Sequence, residues 1–364
     1  MSTLAAVVDE QARATVVLIN VGTPDAPTTP AVRRYLREFL SDPRVVDLPP
    51  LGRWALLNFV ILPFRPKKSA ALYRAIWTEQ GSPLLVHGRA LAAALQQQLP
   101  HARVVLAMRY GSPSLAEALA HADERVVLVP LFPQYASATT GSALAEVRRL
   151  LGAAGQQSVV EVPPFFDDDG FLDVAVATIM EATKAEADAL LLSYHGVPVS
   201  QVQATVSSGH VCGADECWGC CAALGDANAR CYRAQCLATS RALEQRLRAV
   251  GFDAPVTTSF QSRLGRARWI GPSTVDTVDR LAQQGVKRLA VACPSFVADC
   301  LETLEEIGVH LRARFLAAGG ERFTLVPCLN DDARFVAALA RLIERALAPS
   351  PAVKDTGTSS RSPA

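Results

Sequence analysis

The chain is expected to be an α/β protein made of two doubly wound, Rossmann-like halves, each a four-stranded parallel sheet flanked by helices, with a ligand cleft between them. Three observations predict this. Eight short runs rich in Val, Leu and Ile and bounded by Gly or Pro recur along the sequence. Uninterrupted apolar runs of that length suit strands buried on both faces, as in parallel sheets. Long helix-forming segments separate several of the runs, so strand and helix alternate. Four runs precede about residue 166 and four follow it, with Pro163-Pro-Phe-Phe-Asp-Asp-Asp-Gly170 as the break. In such sheets ligands bind beyond the carboxyl ends of the strands.

In chain order, residues 1–14 read as an N-terminal extension and 15–166 as the first half, with strands at 16–20, 104–108, 126–130 and 158–162. Helices are expected at 83–99 and 142–151. The second half, 167–347, carries strands at 190–193, 256–259, 289–292 and 323–326. Its helices fall at 171–187, 238–250, 272–284, 299–318 and 332–347. From Ala348-Pro-Ser-Pro351 onward, the segment 348–364 is small and polar and is expected to be a disordered tail. Within the first half, 51–66 forms an apolar lip. Its core, 54–64, is shorter than the roughly 20 residues of a spanning helix and reaches a proline. Arg53 on one side and Arg65, Lys67 and Lys68 on the other suit an interfacial segment or the edge of a pocket. A core helix with basic ends would look the same.

Lys plus Arg number 36 against 35 Asp plus Glu, a formal charge of +1. That balance gives no electrostatic footprint for nucleic acid. The first residues lack a basic start and reach two acids before any signal-length apolar core, so a cytoplasmic location is expected. Neither G-x-G nor G-x-x-x-x-G-K-[ST] occurs, which leaves Rossmann-type nucleotide binding and P-loop chemistry unsupported. The strands instead run into rigid loops, Asn20-Val-Gly-Thr-Pro24, Arg109-Tyr-Gly-Ser-Pro113, Pro130-Leu-Phe-Pro-Gln-Tyr135 and Ser193-Tyr-His-Gly-Val-Pro198. Pro, Gly and aromatics at a site edge suit a large, flat, apolar ligand better than a phosphate chain.

Asp299, Glu302 and Glu306 stand at i, i+3 and i+7 just after the apolar run that ends at Cys293. One helix would carry all three on a single face. Like charges four apart cost about 0.2–0.5 kcal/mol per pair on an isolated helix. Such a row points to a passing or bound cation. The alternative is that acids merely favour a first helical turn, where the macrodipole stabilises them. His195 follows the run Leu190-Leu-Leu-Ser-Tyr, so it belongs at a strand's carboxyl end, and Gly196 lets the chain turn behind it. Imidazole can accept a proton near neutral pH or ligate a borderline metal ion. In a doubly wound sheet the ends of the 190 and 289 strands open to the same side, so His195 and the acidic face can share one cleft.

At this point the residues resemble a family. The motifs Val17-Leu-Ile-Asn-Val-Gly-Thr-Pro24, Ile76-Trp-Thr-Glu-Gln-Gly-Ser-Pro83, 128–140, Leu192-Ser-Tyr-His-Gly-Val-Pro198, Phe260-Gln-Ser-Arg-Leu-Gly-Arg266 and Ala298-Asp-Cys-Leu-Glu-Thr-Leu-Glu-Glu-Ile307 are similar to those of ferrochelatases, in the right order over about 15–345. The resemblance implies a class II chelatase fold and a lyase of haem biosynthesis that inserts Fe²⁺ into a porphyrin, with protoporphyrin IX the expected ring. It implies an inner site of His195 and Glu302, with Glu306 and Asp299 along an outer acidic line. Physically, neutral His195 could take pyrrole protons or ligate iron with Glu302; the residues leave both open. Bending the macrocycle toward the metal requires a grip on the ring. Tyr135, Tyr110 and Trp269 are the candidates for that grip. For the propionates, Arg65, Arg263 and Arg33 are candidates. The 54–64 lip could take the ring from a membrane surface, so peripheral contact with the inner membrane is kept open.

Six of the nine cysteines lie between Cys212 and Cys236, inside an insert at 209–236. That density in a cytosolic chain points to metal. Cys212, Cys217 and Cys220 have the C-x₄-C-x₂-C spacing of a plant-type [2Fe–2S] cluster, with Cys231 expected as the fourth ligand and Cys221 as the alternative. Four thiolates on zinc compete with this reading, and a disulfide pair is a third. Some ferrochelatases resemble this chain in carrying a [2Fe–2S] cluster, whereas many bacterial ones lack the insert. Cys293, Cys300 and Cys328 read as buried thiols. Other functions remain: a coproporphyrin III ferrochelatase, a related cobalt or nickel tetrapyrrole chelatase, or an iron–sulfur or haem-binding regulator. The last would need neither a proton acceptor nor an acidic row.

Overall fold

Strand β1 (Ala14–Gly22) is buried along almost its whole length and holds an inner place in the first sheet. A computed structural model describes residues 14–155, 159–206, 219–263 and 267–348. β2 (Ala102–Tyr110) and β3 (Arg125–Pro130) flank β1, and β4 (Val159–Glu161) lies beyond β3, giving the order β2-β1-β3-β4. All pairs are parallel, with Val17 level with Val105 on one side and Leu128 on the other. The helices of this half are α1 (Thr29–Ser41), α2 (Pro50–Ala55), α3 (Leu62–Ile76), α4 (Pro83–Gln98), α5 (Leu115–Ala120) and α6 (Ser142–Gly155).

Local signals set these helices. Thr28 caps α1, accepting the Ala31 N–H ahead of Pro30, and Ser114 with Glu117 closes a capping box at α5. Each cap satisfies backbone donors that a helix start leaves unpaired.

The second half repeats the plan. After α7 (Asp169–Thr183), β5 (Ala189–His195) lies between β6 (Val256–Gln261) and β7 (Arg288–Ala292), and β8 (Arg322–Leu325) forms the far edge. The order β6-β5-β7-β8 is again wholly parallel. Its helices are α8 (Val199–Gln203), α9 (Tyr232–Ala249), α10 (Thr274–Gln283), α11 (Arg312–Ala317) and α12 (Ala333–Leu347). All eight strands fall where the apolar runs placed them, because a strand buried on both faces announces itself as an unbroken apolar run. In each sheet the order reverses beside the first strand, at β1/β3 and at β5/β7. Such switch points open a crevice at the carboxyl ends.

The halves are not independent. Val16, Leu18, Val127 and Val129 of the first sheet belong to the same contiguous apolar core as Leu190, Leu192, Tyr194 and Phe260 of the second. Helix α12 crosses back from the second half to pack on α4 and on β3 and β4. His87 meets Asp331 at 3.4 Å and His101 meets Glu344 at 3.3 Å along that seam.

The largest departure from expectation is the acidic helix. It begins at Leu301, not at 299, and Glu302–Leu311 is wound as a π-helix that passes into α11. Two further π turns occupy Leu56–Ile61, in the lip, and Ser137–Gly141, just after Tyr135. π-Helical turns are rare and concentrate at functional sites. One lies in the lip, one follows Tyr135 and one carries Glu302 and Glu306.

Candidate active site

β5 delivers His195 as its last residue, and Gly196 turns the chain away. A Cβ on Gly196 would lie 2.7 Å from the Gln261 carbonyl and 3.3 Å from the indole of Trp269, so only glycine fits. Trp269 is thus placed against the turn behind the histidine. The His195 ring places Nδ1 2.6 Å from the Gly196 carbonyl. A carbonyl can only accept, so Nδ1 carries the hydrogen and Nε2 the lone pair in the neutral ring. The edge of Phe296 packs on the imidazole, with ring centroids 6.2 Å apart.

The π-helix after β7 supplies the carboxylates. Glu306 accepts from the Ser262 N–H at 2.9 Å and from Ser262 Oγ at 2.5 Å. To present both donors Ser262 takes φ +65°, a conformation that side-chain-bearing residues rarely adopt. Burial pushes the Glu306 carboxyl up. The Ser262 hydroxyl and the neighbouring His195 pull it down, Glu302 pushes it up, and the net direction is upward. His195, Glu302 and Glu306 therefore share one electrostatic environment. Perturbed carboxylates beside a histidine at a crevice are the usual mark of a reactive site.

Glu302 is half-buried and faces the other half of the molecule. Its backbone carbonyl accepts from Gln261 Nε2 at 2.9 Å, which fixes the start of the π-helix to the end of β6. Its charge reaches the phenols of Tyr35 and Tyr73 and the guanidinium of Arg65. Burial chiefly, and then the surrounding charges, hold both phenols well above the usual range. Burial pushes the Arg65 guanidinium down, against the pull of Tyr73 and Glu302. The buried Cys300 thiol hydrogen-bonds to Glu302 and is pushed up by burial and by that carboxylate. Glu302 thus lies within electrostatic reach of Glu306 on its own helix and of Arg65, Tyr35 and Tyr73 from the first half.

Two expected site residues are corrected. Asp299 lies before the π-helix and is 6% exposed. It accepts from Thr303 Oγ1 at 3.0 Å and Asn330 Nδ2 at 2.9 Å, and the Cys328 N–H reaches it at 3.4 Å. A carboxylate so occupied anchors the start of the π-helix. Tyr110 is 1% exposed, and its hydroxyl donates to Asp42 at 2.9 Å, so it is a core residue below the cleft and not a ring contact. In both, spacing and strand ends place the backbone, while partners from distant segments engage the side chain.

The remaining candidates divide. Tyr135 is half-buried in the loop after β3, with the Arg230 guanidinium 5.6 Å from its ring centroid. Arg33 and Arg263 are exposed. In the insert, Cys212 and Cys217 lie outside the described residues. Cys221 and Cys231 are buried, and the Cys220 and Cys221 thiols approach to 3.6 Å. Among the described residues no three His, Cys, Asp or Glu side chains converge as a ready-made ion cage. Sequence reasoning missed Ser262, Tyr35, Tyr73 and Cys300. Ser262 stands inside a noticed motif, but nothing in a lone serine announces a left-handed backbone aimed at a carboxylate 44 residues away.

The ferrochelatase family model matches residues 13–347. A ferrochelatase of Coxiella burnetii (strain Dugway 5J108-111) is 42% identical over 338 residues, covering 91% of this chain and 93% of the relative. A ferrochelatase of Pseudomonas paraeruginosa (strain DSM 24068 / PA7) is 45% identical over 341 residues, covering 92% of this chain and 98% of the relative. At that identity over nearly the whole length, the chain belongs to the ferrochelatase family, metal chelatases of haem biosynthesis that act as lyases and take ferrous iron as a substrate.

Proposed function

We propose that the protein inserts Fe²⁺ into protoporphyrin IX, with His195 as proton acceptor and Glu302 and Glu306 as the metal's route. The overall change is porphyrin plus Fe²⁺ giving haem plus two protons, so the site must remove two pyrrole protons and strip a hydrated ion. The observation that carries the reading is the hydrogen bond from His195 Nδ1 to the Gly196 carbonyl, at 2.6 Å. It commits one ring nitrogen as a donor and leaves Nε2 as a base beside Glu306. Glu302, facing Arg65 and the two tyrosines, is placed to hand over the ion where the ring is gripped. Tyr135 and Trp269 serve as ring contacts and Arg65 as a propionate partner.

The apolar lip favours protoporphyrin over the more highly charged coproporphyrin III. Leu51, Trp54, Phe59, Val60 and Phe64 are 77%, 55%, 66%, 56% and 72% exposed, a concentration that solvent alone does not favour. Among the described residues no helix is long and apolar enough to cross a membrane. With exposed Lys67 and Lys68 beside it, the lip fits peripheral contact with an anionic bilayer, from which an apolar ring can be drawn. The test is an anaerobic assay of the purified protein with Fe²⁺ and each porphyrin. Protoporphyrin IX should be the better substrate by kcat/KM, and equal or reversed preference would reassign the ring.

The density of cysteines in the insert, with two described thiols at metal-ligand spacing, supports a four-thiolate metal site. Two thiolates on one tetrahedral ion, with bonds of about 2.3 Å, stand about 3.8 Å apart. Cys220 and Cys221 are 3.6 Å apart. By sequence spacing, Cys212, Cys217, Cys220 and Cys231 would hold a [2Fe–2S] cluster; the 3.6 Å pair supports the alternative in which Cys221 takes the last position, and either cluster would pin the loop close to His195. Anaerobically purified protein should show visible absorbance with iron and sulfide in equal amounts. Colourless protein containing zinc would replace the cluster with a structural zinc ion.

A further inference from the structure

We propose that Tyr232, the first residue of α9, is a positioning residue for metal insertion: its hydroxyl fixes the peptide between His195 and Gly196, and through that peptide the tautomer and direction of the His195 ring. The inference rests on His195 being the proton acceptor.

That peptide is held at both ends from outside β5. Tyr232 Oη donates to the His195 carbonyl at 2.8 Å, and the Gly196 N–H donates to the Gln261 carbonyl at 2.8 Å. Ser295 Oγ accepts the His195 N–H at 3.1 Å. The next carbonyl, that of Gly196, receives the imidazole Nδ1–H. Because Gly196 has no room for a side chain, nothing within the turn can brace this plane, and the brace must come from a neighbour. Tyr232 is 6% exposed and sits beside Cys236 and Ser295, so its hydroxyl has other partners within reach and is not aimed at His195 merely to escape burial unpaired.

The same helical start reaches the opposite wall. Gln235 Oε1 accepts the Tyr135 N–H at 2.6 Å, and Arg230 lies over the Tyr135 ring. The first turn of α9 thus touches both the residue that takes the proton and a residue that grips the ring. Misplacing a reacting group by a fraction of its contact distance lowers the rate while leaving substrate binding intact, the signature expected of positioning.

The test is Tyr232→Phe, which removes one hydroxyl and keeps the ring. It should lower kcat for Fe²⁺ insertion about tenfold while KM for protoporphyrin IX stays within about twofold. In protein labelled with ¹⁵N-histidine, which has only six histidines to assign, the hydrogen-bonded Nδ1–H signal of His195 should be sharp in the wild type and broadened or lost in the variant. The control is Ser240→Ala, which removes a buried hydroxyl on the same helix that meets Tyr194 at 2.9 Å and does not touch the His195 peptide. Wild-type kcat and an unchanged Nδ1–H signal in Tyr232→Phe overturn the inference, as does an equal loss in Ser240→Ala. A wild-type protein that inserts no iron refutes the proposed function instead, and the Nδ1–H comparison then decides the role of Tyr232 alone.

Discussion

The two sheets share one strand order and one direction of pairing, yet their carboxyl ends treat a carboxylate in opposite ways. In the first half, Asp42 caps the end of α1 and takes Ser142 Oγ at 2.5 Å, the Arg44 N–H at 2.7 Å, and Tyr110 Oη and Arg109 Nη2 at 2.9 Å each. Burial alone would raise its pKa. These donors overcome that and hold it below the usual carboxylate range. In the second half, Glu306 has Ser262 as its donor, remains beside His195 and Glu302, and is held above its usual range. A carboxylate whose lone pairs are all taken is a structural pin. One left short of partners next to a base is available for chemistry. Equal topology therefore yields a wall from one sheet and a reaction site from the other.

The sharpest way to break this contrast is to remove an acid from the reactive side. Glu302→Gln should fold and bind porphyrin but lose insertion by roughly 100-fold or more, within the range for a group acting directly on the reaction. Insertion rates near wild type would remove Glu302 from the route. On the wall side the reverse is expected. Asp42→Asn should leave the chemistry largely intact but cost about 2–3 kcal/mol of stability at neutral pH, since it disrupts several hydrogen bonds to a buried charge. Because the folded pKa of Asp42 lies below its unfolded value, the wild-type advantage exists above about pH 4 and disappears as pH falls through the folded value. Denaturation measured at several pH values from 7 down to 2 checks both size and sign, and a gap that stays constant or widens as pH falls contradicts the account.

How much of this was legible in the sequence follows from the same contrast. The eight strands and the position of His195 at a strand end could be read because each is written locally, as an apolar run or a residue at its end. Glu302 and Glu306 could be read from their spacing after β7. The partners that engage Asp299 and Tyr110, Asn330 and Cys328 for one and Asp42 and Ser142 for the other, could not be read because they come from remote segments. Ser262, Tyr35 and Tyr73 were silent for the same reason. The π winding of 302–311 could not be read either, since i→i+5 bonding leaves no pattern of its own in residue types.

Smaller effects sharpen the edges of the comparison. Serine in place of Cys231 should abolish the visible absorbance and iron content of the insert, whereas serine in place of Cys221 should preserve them. The opposite result makes Cys221 the fourth ligand. Replacing Leu51, Phe59 and Phe64 together by serine should weaken sedimentation with anionic vesicles by roughly tenfold or more, given about 0.8 kcal/mol per buried CH₂, and barely change thermal stability. Unchanged vesicle binding would remove the membrane from the account.

The central claim is that the second sheet holds the base. It is tested most directly by single-turnover Fe²⁺ insertion into porphyrin already bound to His195→Ala under anaerobic conditions, with binding followed by the porphyrin's own absorbance. Porphyrin affinity should be close to wild type and insertion slower by about 10²-fold or more. Insertion at the wild-type rate would contradict the assignment of His195 as proton acceptor.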